Sequence, residues 1–377
     1  MKIGIITFYQ FYNYGALLQA YALEQFVKGL DKDFEVELIN FKNTQNGSIL
    51  GIPFDKIRNL PQFFKSIVAK LVDIPFKLPK KINFDRFRKK FMNIAYKKYR
   101  KYDQLKNNPP QYDVYICGSD QIWNPEIQPK AKPAFFLKFV SDKSVKKISY
   151  AASIGVSQIE DKYLDEYKDF LSSIDNISVR EQTGVKALQN LTTKEIARNI
   201  DPTLLLTDKE WSEISANIKV KEKYILVYML GYKKEVVDLV NHISHELNLK
   251  VVHFGPYKTY ENEIGRFHCK GPDVFVSLFQ NAEFVVTNSF HGTAFSIVFN
   301  KKFYSVISSK VGSRISDLLG ILGLEDRIVG SINDIGDPNR DIYYERVMEI
   351  LEHEKSKSKS YLLEAILGSG AEVQNEG

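Results

Sequence analysis

The chain has 377 residues and a mass of 43.4 kDa, too much for one ordinary hydrophobic core, so two or three domains are expected. Hydrophobic residues make up 44% and charged residues 26%, which excludes a disordered, collagenous or coiled-coil chain as a whole. The net charge of +6 is uneven: residues 56–106 hold 16 Lys and Arg against 3 Asp, so the remainder is net acidic.

The first strand is expected at Lys2 to Phe8, a β-branched run of the kind buried in parallel sheets. A short loop to Tyr14 follows, Gly15 opens a helix running to Phe26, and Phe34 to Asn40 forms the second strand. This is the opening of a doubly wound α/β sheet, without the GxGxxG fingerprint of dinucleotide binding. The basic segment interleaves rings with cations, and Phe84, Phe87 and Phe91 recur at helical spacing. A solvated helix face, contact with anionic lipid, nucleic-acid binding and an anionic-substrate funnel are its competing readings; no recognised nucleic-acid motif accompanies the charge.

Strands resume at Tyr112 to Cys117, Lys147 to Ala152 and Ile174 to Arg180, with helices at Tyr163 to Ser173 and Thr183 to Leu191. The polar stretch Thr207 to Lys223 marks the domain boundary. A second sheet is expected from Tyr224 to Leu230, Lys250 to Phe254, Glu283 to Thr287 and Phe303 to Ile307. Its helices are expected at Lys233 to Leu247, Pro272 to Asn281, Ala294 to Asn300, Arg314 to Leu322 and Arg340 to Leu367. The boundaries that follow are 1–210 for an amino-terminal domain with a basic helical insertion at about 50–108, and 211–367 for a carboxy-terminal domain. A disordered tail is expected at 368–377. Two cysteines without CxxC or His/Cys clusters give neither a disulfide framework nor a metal site. No signal-peptide pattern and no 18-residue apolar run occur, so a soluble cytoplasmic protein is expected.

Polar residues at strand ends carry the candidate chemistry, because ligands of open α/β sheets bind at that edge. The sharpest group is Asn288-Ser289-Phe290-His291-Gly292-Thr293. A helix start there favours phosphate or carboxylate, Ser289 and Thr293 offer hydroxyls, and His291 can donate a charged hydrogen bond or shuttle a proton. Its alternative is a satisfied structural histidine. Gly118-Ser119-Asp120-Gln121-Ile122-Trp123 closes another strand. Asp120 suits a general base or sugar-hydroxyl acceptor and Trp123 a ring stacked on a pyranose, against an Asx turn. Asn13-Tyr14-Gly15 is a third helix start, open to a capped, closely packed helix as well. Arg180 is either half of a structural ion pair or an anion clamp. Asp201-Pro202-Thr203 reads as a plain turn, and Arg314 as a surface ion pair or a residue facing the cleft.

Taken in order, several blocks resemble the polysaccharide pyruvyl transferase family. They are Lys2 to Phe8, Asn13 to Leu23, Tyr112 to Pro125, Ser149 to Gly155, Ile177 to Glu181, Asp201 to Leu206 and Thr287 to Ile297. The resemblance implies two Rossmann-like domains similar to GT-B-type glycosyltransferases. It also implies phosphoenolpyruvate as donor and a pair of sugar hydroxyls as acceptor, joined as a pyruvate ketal. Arg and His residues are associated with the donor site of such proteins, and Arg180 and His291 match them here. Where some relatives resemble Arg-x-His, this chain has Ser289-Phe290-His291, and Arg314 is the candidate substitute.

The resulting assignment makes His291 and Asp120 catalytic. Arg180, Ser289, Gly292, Thr293 and Arg314 are set at the donor, and Asn13, Tyr14, Gly15, Gly118, Ser119, Gln121 and Trp123 at the acceptor or cleft. No metal and no cofactor beyond the co-substrate are expected. The acceptor is expected on a cell-surface polysaccharide or its lipid-linked precursor, with peripheral contact to an anionic membrane face and no nucleic-acid partner. A nucleotide-sugar glycosyltransferase and a non-catalytic glycan-binding subunit stand as alternatives.

Overall fold

The computed structural model describes residues 1–42, 77–127, 130, 132–232, 234–307 and 313–368. The expected tail beyond 368 and the part of the basic insertion at 50–76 lie outside the described residues. The chain begins with β1 (Lys2–Ile6), α1 (Tyr14–Lys28) and β2 (Glu35–Leu38). Residues 77–91 form helix α2, and α3 (Tyr102–Asn107) leads to β3 (Val114–Gly118). After α4 (Lys132–Phe135) come β4 (Lys146–Tyr150), α5 (Leu164–Ser172), β5 (Ile177–Val179), α6 (Gln182–Leu188) and β6 (Ile196–Arg198).

The first sheet has the order β2-β1-β3-β4, all parallel, with Ile5 opposite both Leu38 and Ile116. Bridges from Ile148 to Asn176 and Ala152 to Val179 carry it on into the β5–β6 pair. Placing β1 between β2 and β3 reverses the direction of winding, and the ends of β1 and β3 flank the crevice that results. Ile3, Ile5, Val114 and Ile116 are buried, as continuous apolar strands covered on both faces must be.

A capped helix, α7 (Asp208–Glu213), follows the first sheet; Thr207 and Glu210 close its capping box. The second sheet has β7 (Tyr224–Tyr228), β8 (Lys250–His253), β9 (Glu263–Arg266), β10 (Phe284–Thr287), β11 (Lys302–Val306) and β12 (Ile328–Val329). Its order is β12-β11-β10-β7-β8-β9, again all parallel, so the second switch point lies between β7 and β10. Its helices are α8 (Lys234–Glu246), α9 (Pro272–Asn281), α10 (Phe290–Val298) and α11 (Ser313–Leu322). β6, β9 and β12 are strands that the sequence pattern leaves unmarked; β9 reads Glu-Ile-Gly-Arg, and its polar, half-exposed edge position lacks an apolar signal.

The final described helix, α12 (Tyr344–Leu367), departs from the expected boundary. It is expected within the second domain, and it joins both halves: Tyr344 Oη donates to the Lys301 carbonyl at 2.6 Å, while later turns lie on the first sheet. Tyr361 Oη donates to the Ser149 carbonyl at 2.9 Å, and Lys146 Nζ to the Ile366 carbonyl at 2.8 Å. Arg198 pairs with Glu354, and Ser358 Oγ lies 3.3 Å from Asn199 Nδ2. The two halves also share an aromatic core. Tyr14 stacks on Phe275 at 4.8 Å and packs against Phe84 and Phe254, while its hydroxyl donates to the Lys270 carbonyl at 2.8 Å.

Candidate functional site

A cleft of about 250 Å³ opens where the two switch points meet. From the first sheet it is lined by Asn13, Asp120 and Gln121, and from the second by Leu230, Asn288, Ser289, Phe290, His291, Val306, Ile307, Arg314 and Ile315. Asn288 sets one wall: its amide accepts from the Leu230 amide nitrogen at 2.7 Å and donates to the Leu230 carbonyl at 3.1 Å, tying the ends of β7 and β10 together.

Helix α10 begins at Phe290, earlier than the expected Ala294, with Ser289 at its N-cap. His291 therefore sits in the first helical turn rather than in a preceding loop. The Ser289 side chain makes no capping bond, so the helix start keeps backbone donors available at the cleft. His291 is buried, and its Nε2 has no hydrogen-bond partner among the described residues. The nearest carboxylate oxygen, Asp201 Oδ2, is 3.8 Å away. Burial pushes the imidazole pKa below its usual value; Asp201 and Asp120 oppose that, while Arg180 and Arg314 add to it.

Asp120 lies beside this helix start with φ of +61°, a left-handed conformation uncommon for a non-glycine residue. Its backbone carbonyl accepts from Ile122 and Ser153, which fixes the turn while the side chain lines the cleft. Arg314 reaches in from α11, and no carboxylate among the described residues lies within ion-pair distance of it. The Gln121 carboxamide, turned with its oxygen toward Arg314, accepts from Nη1 at 3.0 Å. Burial and the neighbouring Arg180 lower the Arg314 pKa, conditions that an incoming anion would relieve.

Arg180 is placed differently. Its Nε donates to Glu181 at 3.0 Å, its Nη1 to Asp201 at 2.6 Å, and its guanidinium covers the Phe290 ring at 4.2 Å. It stands behind the cleft wall and does not line it. Burial works against its charge, but Glu181, Asp201 and Asp120 more than offset this and raise its pKa. Asp201, expected as a plain turn residue, is the hub of this layer. It also accepts from Ser119 Oγ at 3.1 Å and from Thr203 Oγ1 at 2.7 Å. Burial disfavours its charge, yet Arg180, His291 and the Thr203 bonds hold its pKa below the usual carboxylate value.

Several other expected cleft residues are structural. Trp123 is fully buried, stacked on Phe136 at 4.5 Å with Nε1 donating to the Phe135 carbonyl, so no pyranose can lie against it. Tyr14 belongs to the aromatic core between the domains. Ser119 is buried on Asp201 and the Ala151 carbonyl, and Thr293 on Ser289 and Ser305. Gly118 and Gly292 allow close packing, since a Cβ would meet the Tyr150 carbonyl and Thr287 Oγ1, respectively. Gln19, unmarked in the sequence, donates to Thr7, Phe8 and Ala16 and accepts from the Ser119 amide, holding the ends of β1 and β3 together.

Gly15 connects the two halves directly: a Cβ there would stand 2.0 Å from His291 Nδ1. Gly15→Ala is therefore expected to push the imidazole off its position and lower turnover on the order of 100-fold, with unchanged circular dichroism. Turnover within a few-fold of the unmodified protein would show that the imidazole position is not critical.

Two parallel, doubly wound sheets meeting at a cleft through their switch points define an α/β protein of the GT-B type. The polysaccharide pyruvyl transferase profile matches residues 13–310, and the chain belongs to that family of transferases. The UDP-N-acetylglucosamine 2-epimerase from Rickettsia bellii is similar in fold, with 12% identity, a TM-score of 0.51 and coverage of 98% of this chain and 96% of that one. S. aureus MnaA, in a structure with UDP, is similar at 11% identity and a TM-score of 0.51, covering 100% and 99%. No curated protein matches significantly. No helix among the described residues is long and apolar enough to cross a membrane, and no group of three His, Cys, Asp or Glu among them could hold a metal ion.

Proposed function

We propose that the protein transfers the pyruvyl group of phosphoenolpyruvate to two hydroxyls of a sugar in a cell-surface polysaccharide or its lipid-linked precursor, forming a cyclic ketal. The observation that carries this reading is the convergence of His291, Arg314 and the start of α10 on a cleft sized for a small donor with one phosphate and one carboxylate. Arg314 and the α10 amides suit the phosphate and carboxylate. His291 delivers a proton to the donor's methylene carbon, and the central carbon becomes oxocarbenium-like. Asp120 takes the proton from the first attacking hydroxyl. The C–O bond to phosphate breaks, and the second hydroxyl closes the ring. Of the two hydroxyl protons, one balances the new methyl group and the other leaves with phosphate.

Phosphate release from phosphoenolpyruvate in the presence of a saccharide panel, with mass spectrometry of the product, tests the reaction. No release with any acceptor, alongside binding of a nucleotide sugar, would replace it with glycosyl transfer. The pH profile supplies a second check. Because the folded pKa of His291 is lowered, its cationic fraction is small at neutral pH and grows as pH falls toward that pKa. A proton-donating His291 thus predicts that kcat/KM rises steadily as pH falls from neutral and levels off only below the usual imidazole range. In His291→Gln this rise should vanish. An identical rise in that variant would assign the proton to another group.

A further inference from the structure

Residues 77–106 contain 12 Lys and Arg and 2 Asp, and the fold divides those within α2 between two faces of the helix. On the inner face, Phe84, Phe87 and Arg88 are buried. Arg88 Nε donates to the Tyr9 carbonyl at 3.0 Å and Nη2 to the Phe11 carbonyl at 2.9 Å, bracing the loop that ends at the cleft residue Asn13. The inner face also touches the second domain, where Asn83 Nδ2 donates to the Cys269 carbonyl at 2.8 Å. Asp85 is occupied by Lys81 and Arg88.

The outer face is different. Leu78 and Ile82 are 45% and 48% exposed, and Arg86, Lys89 and Lys90 are exposed on the same side at helical spacing. The chain then turns along the β2 edge through bridges at Ile94 and Tyr99. Between them it presents a fully exposed Tyr96, with Lys97 and Lys98 exposed beside it, and Arg100 and Lys101 following.

We propose that the outer face of α2 and the loop at 96–101 dock on an anionic lipid surface. Exposed aliphatic residues interleaved with cations, beside a single half-exposed carboxylate, Asp85, already paired with Lys81 and Arg88, match the headgroup boundary, where apolar side chains enter and cations meet lipid phosphates. Nucleic acid would match the charge but leaves Leu78 and Ile82 without a partner. Since the same helix clamps the loop leading to Asn13, docking sets the cleft at a fixed distance from the membrane. The association is peripheral, reversible and independent of the identity of the donor.

The test is sedimentation of the full chain with vesicles of phosphatidylcholine alone or mixed with phosphatidylglycerol. Binding is expected only to the anionic vesicles, at ~50 mM salt, with release at ~500 mM, where the screening length is several-fold shorter. Substituting Gln for Arg86, Lys89 and Lys90 together is expected to weaken binding at least tenfold while phosphate release on a soluble acceptor stays unchanged. Leu78→Ser with Ile82→Ser should weaken it without altering the salt dependence. All of these residues are exposed, so folding is expected to survive, and circular dichroism checks this. Failure of the unmodified chain to bind anionic vesicles at low salt overturns the proposal, as does undiminished binding by the Gln variant. Preferential binding of duplex RNA over anionic vesicles overturns it as well.

Discussion

Replacing His291 by alanine is expected to reduce turnover about 100-fold or more without unfolding the protein, the effect typical of losing a positioned proton donor. The side chain is buried, its Nε2 lacks a protein partner, and it occupies the first turn of a helix whose amides open on the cleft. Such an imidazole adds little to cohesion, since its closest ionic neighbour is 3.8 Å away and better satisfied by Arg180. Steady-state phosphate release and the thermal midpoint, measured on the same preparation, separate the two effects. Near-normal turnover returns His291 to a packing role; a collapsed midpoint with proportionate loss of activity does so too.

Arg180→Ala is expected to act on stability first. Its removal strands Asp201 and Glu181, two carboxylates that are almost completely buried. Breaking a buried pair in this way costs about 3–5 kcal/mol, because the remaining charge has neither water nor counterion. Arg314→Ala should instead leave the denaturation midpoint within about 1 kcal/mol of the original and raise the apparent KM for the donor. The sign of the difference decides between the two arginines. If Arg180→Ala keeps its stability and loses donor affinity, Arg180 is the clamp and Arg314 a bystander.

The contrast between these arginines shows where sequence reasoning stops. Strand ends were legible, because buried parallel strands are continuous apolar runs, and the residues after β1, β3 and β10 do meet at one cleft. Which side chain of a strand-end loop faces the cleft was not. Asp120 faces the cleft, whereas Ser119 and Trp123 turn into the protein, since the local turn at Asp120 sets their directions and leaves no periodicity to read. Arg180 was open to either role because its partner Asp201 is 21 residues away. The amphipathic pattern of residues 84–91 announces a helix, yet nothing in it sets Arg88 apart from Arg86, Lys89 and Lys90; only the fold brings the Tyr9 and Phe11 carbonyls to it. Similarly, α12 is visible as a helix, but only the assembled sheets show which one it covers.

The placement of α12 has a consequence for biosynthesis. The first sheet is finished by residues translated after the whole second sheet, since Tyr361, Ser358 and Lys146 join α12 to β4 and the strand-end segment at 199–200. An emerging chain can pair β1 through β6 early, yet Leu362 and Ile366 must arrive before the apolar face they cover is closed. Until then, a nascent first domain exposes a surface that chaperones or premature association can capture. Chains interrupted anywhere before residue 344 are therefore expected to lose not only one helix but the solubility of the domain made first.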